Sequence, residues 1–161
     1  GTFCPVRRLH GYRMPYQPQY GTTGGAECVS GAPNEIWSYG DEVYEICKKY
    51  IELREAMRPY IRTLMEAAHE KGTPVMRPMF YDFPEDKVCW ENESQYMFGP
   101  DILVAPVMER GQKTKEVYLP KGSTWTDPWT GKNYEGGQTV TVETPLEQIP
   151  LFTRDHFKLE V

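Results

Sequence analysis

Apolar and polar positions change rhythm twice along this chain of 161 residues. Residues 1–40 hold no sustained period, and Gly and Pro recur throughout, which predicts ordered loop or irregular structure rather than helix or strand. Tyr12, Tyr16, Tyr20, Trp37 and Tyr39 interleave with them. They argue against disorder, because disordered segments are poor in aromatics. From Asp41 to Lys71, Val43, Ile46, Cys47, Tyr50, Leu53, Met57, Tyr60, Ile61, Leu64 and Ala68 recur at three- and four-residue steps. That spacing is one apolar stripe of an amphipathic helix. Asp41 and Glu42 suit its positive end and Lys71-Gly72 its other end, while Pro59 predicts a kink or break inside it. Thr73 to Phe83, short and apolar between Gly72 and Pro84, reads as a buried strand with Pro78 as a bulge or strand end.

From Asp101 onward the period becomes two. Ile102–Val107, Thr114–Leu119, Thr124–Trp129, Thr139–Val142, Gln148–Thr153 and Phe157–Val161 read as short strands. Turn signals separate them at Glu109-Arg110-Gly111, Pro120-Lys121-Gly122, Thr130-Gly131-Lys132 and Gly136-Gly137. Strands at this spacing imply an antiparallel β-sandwich. The expected boundary lies near Gly99-Pro100, with an α+β portion over residues 1–100 and an all-β module over residues 101–161.

Composition removes several classes of function. A net charge of -5 with no block of Lys or Arg leaves no nucleic-acid footprint, and no apolar run approaches the ~18 residues of a membrane span. Cys4, Cys28, Cys47 and Cys89 are irregularly spaced without a C-x-x-C pair, which disfavours a zinc site and a disulfide framework alike. No phosphate-binding or dinucleotide-binding glycine pattern occurs, so no cofactor is expected.

Chemistry concentrates at few positions. Arg8-Leu9-His10-Gly11 places an imidazole beside a guanidinium on a Gly-rich stretch, where His10 could donate to a hydroxyl or share a developing charge. A buried histidine tying down its loop fits the same residues, and R-x-H-G alone does not choose. Only seven residues precede this element and residue 1 is Gly rather than Met, so the sequence is expected to be the tail of something longer. Asp82, Glu85, Asp86, Glu91 and Glu93 cluster after the predicted strand. Paired carboxylates at about 5–5.5 Å or about 6.5–9.5 Å serve glycoside hydrolysis, but here they also fit a solvated turn opening a helical segment. Trp125, Trp129 and Tyr134 flank a Thr-Gly turn and could form a sugar-stacking platform. Trp125 and Trp129 share strand parity, which favours one buried face.

Six stretches taken in order carry a resemblance. They are F-C-P-V-R-R-L-H-G (3–11), L-R-E-A-M-R-P-Y (53–60), G-T-P-V-M-R-P-M-F-Y-D-F-P (72–84), Q-Y-M-F-G-P-D-I-L-V-A-P-V (95–107), V-Y-L-P-K-G-S-T-W-T-D-P-W-T-G (117–131) and P-L-E-Q-I-P-L-F-T-R-D (145–155). As a set the chain resembles the C-terminal part of family 31 glycoside hydrolases, the α-glucosidase and α-xylosidase family. The resemblance implies the end of a (β/α)8 barrel, with residues 41–71 as its helical stretch and 73–83 as its last strand, followed by a β-sandwich domain. It implies a retaining α-glycosidase acting on α-linked oligosaccharides, whose two catalytic Asp residues would lie upstream of this chain. His10 matches the family histidine that hydrogen-bonds sugar hydroxyls, and Arg8 the arginine that braces its loop. Arg7 departs from the pattern, since members usually carry an aromatic or apolar residue there. The contrasting expectation is a non-catalytic carbohydrate-binding or structural module, with Trp125, Trp129 and Tyr134 facing solvent.

Overall fold

The structure is a computed structural model that describes residues 1–7, 16–20, 27–31, 35–159 and 161. The described residues fall into two compact units, Gly1–Thr2 with Val6–Glu55, and Phe3–Pro5 with Ala56–Val161.

In the first unit, β1 (Tyr16–Tyr20) pairs antiparallel with β2 (Glu27–Gly31), with Tyr16 opposite Gly31 and Pro18 opposite Val29. A 3-10 turn follows at Ile36–Tyr39. Residues 1–40 were expected to be irregular, and this ribbon corrects that. A two-stranded ribbon consists of edges, so a strand can tolerate Pro18 where a missing N–H is not needed, and five-residue strands are too short to announce a period. Helix α1 (Asp41–Ala56) opens with Asp41 and Glu42 in its first turn, where negative charge meets the helix's positive end. Arg54 Nη1 donates to the carbonyl oxygens of Thr2 at 2.6 Å and Gly1 at 3.4 Å, tying the chain's first residues to α1.

The expected break near Pro59 is present. Helix α2 runs Arg58–Lys71 with proline in its first positions, and Met57 interrupts the helical run. Proline is tolerated there because the first N–H groups of a helix have no intrahelical partner. Gly72 ends α2 in the left-handed conformation, φ 69°, its N–H bonded to Ala68 O.

The strand expected over Thr73–Phe83 is two residues long, β3 (Met76–Arg77), and gives way to the short helix α3 (Met79–Asp82). Pro78 accounts for the switch: it cannot donate to a ladder, and it stands immediately before the first helical residue. Helix α4 (Lys87–Glu91) and β4 (Tyr96–Phe98) follow. Then come β5 (Ile102–Val104), β6 (Thr114–Leu119), β7 (Thr124–Thr126), β8 (Asn133–Glu135), β9 (Gln138–Glu143) and β10 (Leu151–Arg154). Of the strands expected after residue 101, β6 has the expected bounds. The final one, Phe157–Val161, is not formed among its described residues.

These strands make a six-stranded sheet of order β3-β4-β5-β10-β7-β8 and a two-stranded sheet β6-β9. Every described pair is antiparallel. The larger sheet continues across Gly99-Pro100, because Phe98 of β4 sits opposite Ile102 of β5. A barrel strand would pair in parallel with its neighbours, whereas β3 pairs antiparallel with β4. The core lies between the two sheets and α3: Met79, Met97, Leu103, Leu119, Trp125 and Phe152 are each fully buried. On β6 the exposed Thr114 and Glu116 alternate with the buried Lys115 and Val117, and Val117, Tyr118 and Leu119 are all buried.

Candidate functional site

Arg8 and His10 lie outside the described residues, so their geometry forms no part of the structure. Phe3–Pro5, which precede them in the chain, belong to the second unit. Phe3 is buried and meets the ring of Phe98 edge-on at 6.1 Å, and Tyr96 Oη donates to Phe3 O at 2.9 Å. Burial, and then the neighbouring Cys4 thiol, push the Tyr96 phenol well above its ordinary range, so it serves as a fixed neutral donor.

The carboxylate cluster is structural where it is buried. Asp86 caps α4 through Val88 N–H and also accepts from Tyr118 Oη at 2.7 Å and Lys121 N–H at 3.0 Å. Burial pushes its pKa up, but the three donors outweigh that and hold the carboxyl below its usual 3.8. Three of the roughly four acceptor sites of this carboxylate are thereby engaged in holding the fold. Asp82 lies 2.8 Å from Arg77 Nε, and the contact is an ion pair without a directed hydrogen bond. Burial raises the Asp82 pKa more than the Arg77 charge lowers it. Arg77 also stands over the Tyr81 ring at 5.1 Å. Glu85, Glu91 and Glu93 face solvent. The Cys89 thiol, buried beside Asp86, is pushed up to about 12 and is inert as a nucleophile.

The three aromatic candidates divide. Trp125 is fully buried, its indole N–H donates to Pro120 O, and its ring packs on Phe83 at 5.9 Å. A platform using Trp125 is therefore ruled out, in line with the core reading. Trp129 lies in a turn rather than in β7, half-buried, with its indole N–H bonded to Ile149 O. Tyr134 on β8 is half-buried, set edge-to-face with Phe152 at 5.8 Å.

Two supporting groups carried no recognisable sequence signal. Gln95 is buried and clamps both backbone groups of Tyr118. Tyr60 Oη donates to Asp101 Oδ2 at 3.0 Å and approaches Phe98 O at 3.2 Å, fixing α2 against the β4–β5 turn. Burial, then the Asp101 charge, push that phenol far above its normal range.

A model of the glycosyl hydrolase family 31 C-terminal domain matches residues 72–156, more than half of the chain. The chain belongs to glycosyl hydrolase family 31. Its likeness to solved members extends beyond the matched region. The crystal structure of a family 31 alpha-xylosidase from a soil metagenome, complexed with xylose, superposes with a TM-score of 0.89 at 52% identity. That match covers 98% of this chain and 24% of that one. An alpha-xylosidase of Saccharolobus solfataricus is 39% identical over 153 residues, which is 95% of this chain and 18% of the relative. Alpha-glucosidase 2 of Bacillus thermoamyloliquefaciens is 39% identical over 120 residues, 74% of this chain and 15% of the relative. The chain thus spans between an eighth and a quarter of the family members it matches.

Proposed function

We propose that this chain is part of a retaining α-glycosidase that releases terminal α-linked xylose or glucose from oligosaccharides, and that residues 8–11 form a substrate-binding loop. One observation carries the reading: the near-full-length match, at 52% identity, to an alpha-xylosidase whose structure holds xylose. Of the two sugars, xylose is the one that the longest matches favour.

In this scheme one carboxylate attacks the anomeric carbon and a second acts as acid and then base, through an oxocarbenium-like transition state. Neither carboxylate belongs to this chain; the enclosed ones here, Asp86, Asp82 and Asp127, are spent on an N-cap, an ion pair and a turn. His10 hydrogen-bonds a sugar hydroxyl, and Arg8 holds the loop that presents it. A hydrogen bond that tightens as the ring flattens lowers the barrier, whereas one equally strong in the ground state only tightens binding. We place the junction between the catalytic barrel and the β-module near Gly72. Support comes from the start of the family match there and from the sheet that runs unbroken from β3 to β10. That is upstream of the Gly99-Pro100 boundary expected from periodicity.

The test is His10→Ala in the polypeptide that joins this chain to the catalytic carboxylates, assayed on an aryl α-xyloside. Turnover should fall by about tenfold or more, and KM should change less. Wild-type turnover in that variant overturns the assignment.

A further inference from the structure

A concavity of about 550 Å3 opens between β9 and the β7–β8 end of the larger sheet. Its size suits a small organic ligand. Trp129 and Tyr134 supply the aromatic wall, and Lys132, Thr141, Glu143 and Gln148 supply polar groups.

Its walls are set before any ligand arrives. Asp127 organises the turn beneath it: Oδ1 accepts from Trp129 N–H at 2.9 Å and Oδ2 from the Thr130 hydroxyl at 2.8 Å. The Asp127 backbone closes the same turn, its N–H on Lys132 O and its carbonyl accepting from Gly131 N–H. The Trp129 ring is held by Ile149 O and the Tyr134 ring by Phe152. A pre-set wall spares the ligand the cost of ordering it. The exposed Lys132 ammonium, on a long flexible side chain, stands over the Tyr134 ring at 4.8 Å, so that ring face already holds an electropositive group. A sugar's electropositive C–H face is attracted to the same π-surface.

The charges narrow the ligand. Lys132 is the one cation among the lining residues, against Asp127, Glu143 and Glu147, so a phosphate or an acidic sugar is selected against. A purely apolar ligand would strip water from these polar groups without replacing their hydrogen bonds. A neutral polyhydroxylated molecule meets both conditions, offering C–H faces to the aromatics and hydroxyls to Glu143 and Gln148. The geometry points to a second carbohydrate-binding site here, for a neutral oligosaccharide of a few units, built without Arg8 or His10.

The experiment is an NMR titration of the 161-residue chain with maltotetraose and with xylotetraose, to about 20 mM, which reaches millimolar-range complexes. Saturable shifts of the Trp129 indole and the Gly131 amide are expected with at least one sugar. Glu143→Ala with Gln148→Ala should weaken the complex about tenfold and leave the melting temperature unchanged. Thr141→Arg, an exposed substitution that fills the mouth, should abolish it. Shifts absent at these residues, or equal affinity in the variants, overturn the proposal. No hydrolysis is read, so this result and that of the His10→Ala assay fail or hold separately.

Discussion

Gln95 holds the two sheets of the β-module together, and replacing it should cost much of the module's stability. In the β6–β9 ladder Thr144 N–H bonds Lys113 O, and Lys115 opposes Val142 while Val117 opposes Val140. The hydrogen-bonded positions on β6 are therefore the odd ones. Tyr118 is even, so its N–H and C=O point away from β9. Gln95, just ahead of β4, meets both: Oε1 accepts from Tyr118 N–H at 2.8 Å and Nε2 donates to Tyr118 O at 2.8 Å. Asn92 Nδ2 adds a third bond to Oε1 at 2.9 Å. Gln95→Met keeps the volume but leaves two buried backbone groups unpaired. Each costs about 1–3 kcal/mol, so the loss is about 2–6 kcal/mol, against the roughly 5–15 kcal/mol that holds a domain folded. With a urea slope of about 1–3 kcal/mol/M, the midpoint should fall by about 1–3 M, read by near-ultraviolet circular dichroism of the buried Trp125. Gln95→Glu separates the two bonds. Ionised, it accepts from Tyr118 N–H but faces Tyr118 O with a second acceptor; protonated, it can donate to that oxygen and should recover stability. A midpoint within about 0.3 M of wild type for Gln95→Met would refute the reasoning, since satisfied and unsatisfied buried amides would then be equivalent.

Other substitutions test other joints. Gly99 has φ 63°, and a Cβ there would lie within 2.9 Å of the Leu64 methyl groups and closer still to Tyr60 Oη, itself tied to Asp101. Gly99→Ala should cost about 2–4 kcal/mol by chemical denaturation, and an unchanged midpoint would contradict the close approach of α2. Asp86 has a depressed carboxyl, so its contribution is present above its ordinary 3.8 and disappears as pH falls through the folded value. Asp86→Asn should be less stable at neutral pH yet show a flatter acid limb; parallel acid limbs would contradict this. Asp82 runs the other way, its raised pKa costing stability as pH rises through the acid range. The isolated chain should release no nitrophenol from aryl α-xyloside or α-glucoside, and a measurable enzymatic rate would show that it holds catalytic carboxylates of its own.

Legibility in the sequence followed the length and uniqueness of each signal. The α1–α2 stretch was clear because its apolar stripe persists for many turns, and Pro59 marked the interruption. Strand β6 was clear because its six residues stand between two turn signals and end on the apolar run Val117-Tyr118-Leu119. Strands β3, β4 and β8 have two or three residues each, too few to show a period, and exist because neighbouring strands hydrogen-bond them. The sheet crossing Gly99-Pro100 was hidden for a different reason. Gly-Pro punctuates a chain whether it links two domains or turns between β4 and β5, and only the pairing of Phe98 with Ile102 distinguishes these. Within the candidate chemistry, Trp125 is core as expected, although the shared strand parity with Trp129 that suggested it does not exist, because β7 ends at Thr126. The role of Asp86 was not legible, because its partners Tyr118 and Lys121 are more than thirty residues away. The roles proposed for His10 on the sugar and for Arg8 on its loop came from family resemblance, since a four-residue motif has no spacing from which geometry follows.

The most direct test of the account is to capture the native protein from its source with an antibody to this chain and assay the captured material for α-xyloside and α-glucoside hydrolysis. The account predicts that α-glycosidase activity is retained on the antibody, in a polypeptide several times heavier than 18.7 kDa. Captured material of 18.7 kDa without that activity would contradict it.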